Sequence, residues 1–490
     1  MSKELKPDQA NQLVTDSRGW SRREFLRSMF YTAGAVGSAS WLTACMGGSG
    51  GADQAAELLP PGNTVTPTPD LPDTLPDIPE LVGRFANLGP LEEPDLYGVR
   101  SPAGFTTRVV AVNKELPQPK GMSAAGPQTG GVGNRPWHIF PDGAGVVPRD
   151  NGGWIYISNS EVPGAGTIGF MYPALSGLAN AAEELTPGLA QVGTLVFDPD
   201  GTIVDSYTIL SGTTFNCAGC VTPWKTWLSC EEFPNGQVWE CDPYQPGEGL
   251  ARPTLGLFSH EAIAIDPNER RLYLTEDMPD GRFYRWLPDP ADWPEGAERA
   301  ALQAGRLQVM AVGGDGVEGA LASPQPITWI DALNPHEPQD QNRIPESTAF
   351  DGGEGVWYFN GIVYFATKGD NRIWAVDTAA QTVEIIYDLA TAEAPNNILS
   401  GVDNLFVTNQ GDVLVAEDGG DMQVVAILPD RTLKPIVQVV GQDASEIAGV
   451  AFSPDGRRMY FTSDRGGRNG LGGFTNGLGM VYEVLLPDNL

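Results

Sequence analysis

The sequence predicts an all-β protein, a six-bladed β-propeller with short helical insertions. Three observations carry that expectation. Six apolar runs end in polar or acidic residues: WIYISNSE (to Glu161), TWLSCEE (to Glu232), LYLTED (to Asp277), VYFATKGD (to Asp370), VLVAED (to Asp418) and MYFTSD (to Asp464). Their ends recur at steps of 45, 49 and 46 residues, from Glu231 to Glu276, Lys368 to Glu417 and Glu417 to Ser463. That step suits one four-stranded blade per repeat. The tetrapeptides DPDG, DPNE, TNQG and SPDG supply the Asp, Asn and Gly that tight hairpin turns need. A pair of β-sandwiches is the alternative, but it would not bring six equivalent strand ends to one axis.

Taken in order, the chain opens on a leader. SRREFLRS places Arg22 and Arg23 ahead of Phe25 and Leu26, and a weakly apolar run follows to LTAC, ending at Cys45. The paired arginines resemble a twin-arginine export signal, and LTAC resembles a lipobox that makes Cys45 the lipidated N-terminus. A retained anchor helix is the alternative, but the run is short for a span of roughly twenty residues. Residues 1–44 are thus expected to be a signal peptide. Residues 45–80, rich in Gly, Pro and Asp, read as a flexible tether. Residues 81–490 form the propeller domain. Dividing its length by a typical domain size suggests two or three domains, a rule that repeat architectures break. The best helix candidates are SGLANAAEELTPGLAQ (176–191) and EGAERAALQAGR (295–306). The expected place is the periplasm or cell surface, reached through the twin-arginine machinery, with the membrane touched only through the lipid.

Charge narrows the function. The formal net charge is −32, and the leader, with six Lys/Arg and four Asp/Glu, carries +2, so −34 is left to the mature chain. Nucleic acid is excluded as a partner, because binding it needs a basic face. A phosphate substrate would be repelled too, unless bound cations invert the local field. In a propeller, equivalent strand positions converge on the central channel. Repeated carboxylates would then crowd together and need protons or cations; a solvated acidic rim is the plainer alternative. Only three histidines occur, His138, His260 and His336, and none makes an H-E-x-x-H pair. A typical zinc hydrolase is therefore disfavoured. Oxygen-rich sites suit Ca²⁺, and a thiolate among carboxylates suits iron or another transition metal. GAGTIG (164–169) precedes no helix pattern, so it does not read as a dinucleotide loop, and DPDG at 198 lacks the later Glu of a calcium loop.

At NCAGCVTPWKTWLSCEE (216–232) the resemblance becomes specific. Asn216-Cys217-Ala218-Gly219, Thr222-Pro223-Trp224, Thr226-Trp227 and Cys230-Glu231-Glu232 resemble the signature of the PhoX-type alkaline phosphatases. FSHEAIAIDP (258–267), LTEDMPDGRFYRW (274–286), DNLFV (403–407), AEDGG (416–420) and SEIAGVAFSPDG (445–456) follow in the family's order. The resemblance implies an exported six-bladed propeller that hydrolyses phosphate monoesters. It implies two Fe³⁺ and two to three Ca²⁺ around a bridging oxo or hydroxide that attacks a small phosphorylated substrate. Cys217 is then a thiolate ligand to iron rather than a covalent nucleophile. The implied metal ligands are Glu231, Glu261, Glu276, Glu354 and Glu446, with Asn159, Glu161, Asp277, Asp403, Asn404, Glu417 and Asp418 behind them. With Cys45 and Cys217 assigned, Cys220, Cys230 and Cys241 leave one odd thiol after any disulfide, and the sequence does not choose the pair.

The chain also departs from that family. In FDGGEG, Gly352 stands where the family has an Arg that can hold the substrate phosphate, and Arg is the preferred bidentate clamp. Cys220 and Lys225 replace glycines, and Ser160 stands where His is common. Lys225 and Lys368 are the candidates to supply the missing cation. Two functional readings follow. One is a metal-dependent phosphatase. The other is a calcium-binding propeller that is non-catalytic or of different specificity, such as a lactonase-like hydrolase or a binding protein.

Overall fold

The computed structural model describes residues 83–162, 190–468, 474–488 and 490. The leader with Cys45, the tether, GAGTIG and most of the 176–191 helix candidate lie outside them. Val82–Leu490 forms one compact unit. It is all-β, and the longest helix among the described residues is the four-residue Gly316–Gly319. No helix there is long and apolar enough to cross a membrane.

The arrangement is propeller-like. Four separate sheets of four or five strands accompany one sheet of nine, with a small two-stranded ribbon beside them. The first sheet runs Pro141–Pro148, Trp154–Ser160, Ala190–Phe197, Ile203–Thr213 as an antiparallel meander, and the second begins at Asn216–Val221. In the last sheet Thr106–Val112, from the start of the domain, pairs with Met480–Leu485 from its end, Thr106 opposite Leu485. This pairing staples the two ends of the domain together, and Thr106–Val112 forms the outer edge that covers Met480–Leu485. Three of the four expected turns, DPNE, TNQG and SPDG, connect first and second strands, whereas DPDG connects the third and fourth strands of the first sheet.

The first strands matter most for function. Pro141–Pro148, Asn216–Val221, His260–Asp266, Gly353–Phe359, Val402–Val407 and Ile447–Phe452 each pack on the next, and the last packs on the first. Each carries a break in register near its start, as between Pro141 and Ala144, Asn216 and Gly219, or His260 and Ile263. Such bulges re-aim side chains out of the ladder. Backbones approach so closely here that a Cβ on Gly143 would lie 2.4 Å from Ala218 Cα, and one on Gly355 2.4 Å from the Leu405 nitrogen. The core fills the spaces between sheets with large rings, among them Trp227, Trp286 and Trp374. Trp154 stacks on Phe197 at 5.2 Å and donates to Tyr460 at 3.0 Å, tying the first sheet to the last.

The helix expected over 295–306 does not form. That segment is a loop running into the strand Gly305–Val312. Buried Asp292 accepts the amides of Leu302, Gln303 and Ala304 at 2.7–2.9 Å, taking backbone donors that a helix would have used. Of 176–191, Ala190 and Gln191 already belong to a strand. Among the described residues no disulfide forms: Cys217, Cys220, Cys230 and Cys241 are buried free thiols. Burial pushes the thiols of Cys220, Cys230 and Cys241 up, so they behave as apolar side chains.

Candidate metal centre

The register breaks create the site. In five first strands the residue that follows the opening ladder pair is Asp142, Cys217, Glu261, Glu354 or Asp403, each in the bulge and each buried. Asp142, Glu261 and Glu354 are only 1 % exposed. A second tier comes from the residues just past the second strands: Glu161, Glu232, Asp277, Lys368, Asp418 and Asp464. Glu446 enters from the residue before its first strand, and Arg465 follows Asp464. These side chains enclose a cavity of about 190 Å³, lined by Glu161, Phe215, Cys217, Glu232, Glu261, Asp277, Glu354, Lys368, Asp403, Asp418, Glu446 and Arg465. At roughly 30 Å³ per water, it has room for a few ions or solvent molecules.

The electrostatics are lopsided. Eight carboxylates line the cavity directly, and Asp142 and Asp464 join their clusters, against one lysine and one arginine. Lys368 Nζ lies 2.9 Å from Glu354 Oε1, 3.4 Å from Asp418 Oδ2 and 3.9 Å from Asp403 Oδ2. Arg465 meets Glu446 at 2.7 Å, Asp464 at 3.0 Å and Asp418 at 3.4 Å, and donates from Nε to the Ala444 carbonyl. Burial, and then neighbouring carboxylates, push Glu161, Glu261 and Asp142 well above the usual carboxylate range. Asp403 is pushed up to about 6, chiefly by burial. Burial alone would lower the Lys368 ammonium, but Glu354, Asp403 and Asp418 hold it well above its ordinary value. The Cys217 thiol donates to Asp142 Oδ2 at 2.7 Å and is pushed up by burial and by Asp142. So many like charges at close range must be neutralised by protons or by cations.

The donor set fits cations. Asp142 Oδ1, Glu261 Oε1 and Asp464 Oδ1 are buried without a hydrogen-bond partner, a costly state that a bound ion relieves. Glu354 Oε1 also has no aligned hydrogen bond, although the Lys368 ammonium is 2.9 Å away; the short ion pair describes its environment better. Donor atoms of Asp142, Glu161 and Cys217 lie within 4.8 Å of one another, as do those of Cys217, Glu232 and Glu261 and those of Glu261, Glu354 and Asp403. A thiolate with carboxylates suits a transition metal, and carboxylates alone suit Ca²⁺.

Placement sorts the residues singled out in the sequence. Cys217, Glu161, Glu261, Asp277, Glu354, Asp403, Asp418, Glu446 and Lys368 line the cavity. Glu231, Glu276 and Glu417 do not, because each is the last residue of its second strand and side chains alternate faces along a strand. Glu231 accepts the amides of Thr214 and Gln237 and the Trp239 indole. Glu276 accepts Arg343 at 2.7 Å, the Tyr284 hydroxyl at 3.0 Å and the Arg282 amide at 2.9 Å. Glu417 accepts the amides of Ser400 and Gln423. Asn159 and Asn404 act one layer out. Asn159 donates to the Cys217 and Ala218 carbonyls at 2.9 and 2.8 Å, holding the bulge that aims Cys217. Asn404 donates to Asp403 at 2.6 Å and accepts the Gly449 amide. Lys225 is exposed in the turn between Asn216–Val221 and Trp227–Glu231, outside the cavity lining.

Sequence reasoning did not single out Asp142 or Arg465 and read Glu232 and Asp464 only as strand ends; Glu232 and Arg465 line the cavity, and Asp142 and Asp464 join its clusters. Asp142 had a signal: an acid or thiol followed by a small residue early in a first strand recurs as Asp142-Gly143, Cys217-Ala218, Glu261-Ala262 and Glu354-Gly355. No histidine belongs to the cavity. Burial pushes His260 down to about 3 and His138 to about 4, and His336 is exposed. At Gly352 the backbone φ of 69° is left-handed, and a Cβ would sit 3.2 Å from Asp277 Oδ1, so an Arg there would be strained.

One consequence separates the carboxylates that line the cavity from those, such as Glu276, that do not. Arg343→Ala should cost about 3–5 kcal/mol by leaving buried Glu276 unpaired, yet the metal content of the folded fraction should not change. A chemical melt beside elemental analysis checks this, and lost metal would return Glu276 to the site.

Fold and site define a propeller-like all-β protein with a buried, carboxylate-lined centre that carries one thiol. The family model described as "Alkaline phosphatase PhoX" matches residues 192–238 and 234–383. The structure of Pseudomonas fluorescens PhoX in complex with vanadate, a transition state analogue, shares the fold with a TM-score of 0.59 and 15 % identity, covering 84 % of this chain and 99 % of that one. Over residues 192–383 the chain is thus similar to the PhoX-type alkaline phosphatases, and its fold is like that of one of them. A gluconolactonase from Xanthomonas campestris aligns at a TM-score of 0.40 and 12 % identity over 82 % of this chain and 98 % of that one. A putative gluconolactonase aligns at 0.39 and 13 % over 81 % and 96 %. No curated protein matches.

Proposed function

We propose that the chain is an exported, metal-dependent phosphatase for phosphate monoesters, built as a six-bladed propeller. The observation that carries this reading is the convergence of the Cys217 thiol with buried carboxylates whose oxygens have no partner. The family match supports the substrate class. For six blades, support comes from the circuit of first strands and from the nine-stranded sheet. Its halves are joined in the strand ladder by only two residue pairs, Gln325 with Val383 and Pro326 with Thr382, as two adjoining blades would be.

Asp142, Glu161, Cys217, Glu232 and Glu261 would hold a transition metal, iron in this reading, with Ca²⁺ beside it on carboxylates that carry no ion pair to Lys368. Bound there, such ions supply Lewis-acid polarisation of the phosphoryl group and neutralise developing charge. The chain's own residues bind and orient. Cys217 and the carboxylates anchor the ions, Asn159 and Asn404 hold the anchors in register, and Lys368 is the phosphate-facing cation of the two lysines considered. The cavity lining offers no histidine or serine, and Cys217 and the carboxylates serve as ligands in this reading, so side-chain general-base or nucleophilic work is not part of it. Export through the twin-arginine route and a lipid at Cys45 in the periplasm or at the cell surface belong to the same proposal; SRREFLRS and LTAC support them.

Gly352 in place of the family's Arg favours a second reading, a calcium-binding propeller of other specificity. The test is hydrolysis of a chromogenic phosphate monoester, beside a sugar lactone, by the full chain supplied with Fe³⁺ and Ca²⁺ at alkaline pH. Metal-dependent release from the phosphate ester is the expected result. Lactone hydrolysis alone, or no turnover by metal-loaded protein, would favour the second reading.

A further inference from the structure

The cavity divides by charge. Glu354, Asp403 and Asp418 face the Lys368 ammonium at 2.9, 3.9 and 3.4 Å, and Arg465 braces the same side through Asp418 and Glu446. The triads Asp142–Glu161–Cys217 and Cys217–Glu232–Glu261 include no residue paired with either cation, although Glu261 also adjoins Glu354 and Asp403, and Glu161 adjoins Glu446 and Asp464. In these triads Asp142 Oδ1 and Glu261 Oε1, on side chains 1 % exposed, are buried without a hydrogen-bond partner. Asp464, one oxygen on Arg465 and the other unpartnered, stands at the border.

Position in the repeat sharpens the contrast. The residue just past the second strand is acidic in five cases, Glu161, Glu232, Asp277, Asp418 and Asp464, and basic only at Lys368. A tethered positive charge has been placed where the fold otherwise delivers a carboxylate. Its nitrogen sits among oxygens that a Ca²⁺ would have to contact at roughly 2.3–2.6 Å, and two cations in that volume repel. We propose that Lys368, braced by Arg465, is a resident counter-ion that closes the Glu354–Asp403–Asp418 side to metal and confines metal ions to the Cys217 side. The centre then takes fewer ions than the two Fe³⁺ and two to three Ca²⁺ that the family resemblance implies.

This rests on the reading of the cavity as a metal centre, but not on phosphatase activity, and its readout is metal content. The full chain and its Lys368→Met variant are saturated with Fe³⁺ and Ca²⁺, passed through a desalting column and analysed for metal per chain. The variant should hold about one more Ca²⁺ than the parent and gain a Ca²⁺-dependent rise in melting temperature, while Lys368→Arg should keep the parental count. Equal counts in parent and Lys368→Met overturn the proposal. Should Lys368→Met fail to fold, anomalous diffraction from Mn²⁺-soaked crystals of the parent decides. Scattering on the Cys217 side alone supports the proposal, and a peak among Glu354, Asp403 and Asp418 overturns it. A parent that takes up no metal at all sinks the metal-centre reading as well, whereas metal with no turnover leaves this inference standing and removes only the phosphatase.

Discussion

Stripping metal from the chain by dialysis against chelator at pH 5, then returning it to pH 8, is expected to abolish monoester hydrolysis and to lower stability markedly. The sign follows from the carboxylates. Asp142, Glu161, Glu261 and Asp403 all have folded values raised above their unfolded ones, by burial first and, for the first three, by neighbouring carboxylates second. The metal-free fold therefore binds more protons than the unfolded chain, and its stability falls as pH rises from about 4 through those raised values. For Asp403, raised from 3.8 to about 6, this amounts to something on the order of 3 kcal/mol. Bound cations reverse the balance, because they need the carboxylates deprotonated and bind more tightly as pH rises. A site saturated a thousandfold above its Kd adds about 4 kcal/mol. Urea melts with and without metal at pH 5 and pH 8 measure both effects, and the gap between loaded and stripped protein should widen at pH 8. A metal-free chain as stable at pH 8 as at pH 5 would show that the cavity does not depend on cations.

Cys217→Ser is expected to have the second large effect. Serine keeps the size and can still donate to Asp142, so the metal-free fold should lose no more than about 1 kcal/mol. It does not ionise as a thiol does, and so withdraws the soft ligand that selects a transition metal. Iron content should collapse, and monoester turnover should fall by at least about 100-fold, since even outer-shell changes cost 10–100-fold. Cys230→Ala is the control: Cys230 is fully buried in the core beside Leu228 and Val238, so it should lower stability while leaving metal per folded chain unchanged. A Cys217→Ser protein that keeps its iron and its rate would remove the thiolate from the mechanism.

The two substitutions also mark how far the residues could be read before the fold was known. Cys217, Glu261 and Glu354 lie in local motifs, and each sits near the start of a strand whose apolar pattern is plain in the sequence. The neighbours Glu231–Glu232, Glu276–Asp277 and Glu417–Asp418 were harder, because both members of each pair are acidic and only one faces inward. Successive side chains on a strand point to opposite faces, so an error of one residue exchanges a cavity carboxylate for one that binds loop amides. Lys368 escaped that ambiguity because it is basic among acids, though its partners come from strands about 15 to 50 residues away in sequence.

By itself the sequence determined that the chain is all-β, that strand ends repeat through it, and that cysteine and carboxylates rather than histidines supply its potential ligands. Those properties are local: apolar alternation, turn residues and motif order all lie within a few residues of one another. Tertiary structure alone decided which acid of each pair enters the cavity, that Asp142 and Arg465 belong to it, and that Lys368 and Arg465 neutralise one side while the Cys217 side keeps unpartnered oxygens. The reason is physical. Charge balance in a cavity is a sum over residues brought together from every sheet around it, and no stretch of chain contains that sum.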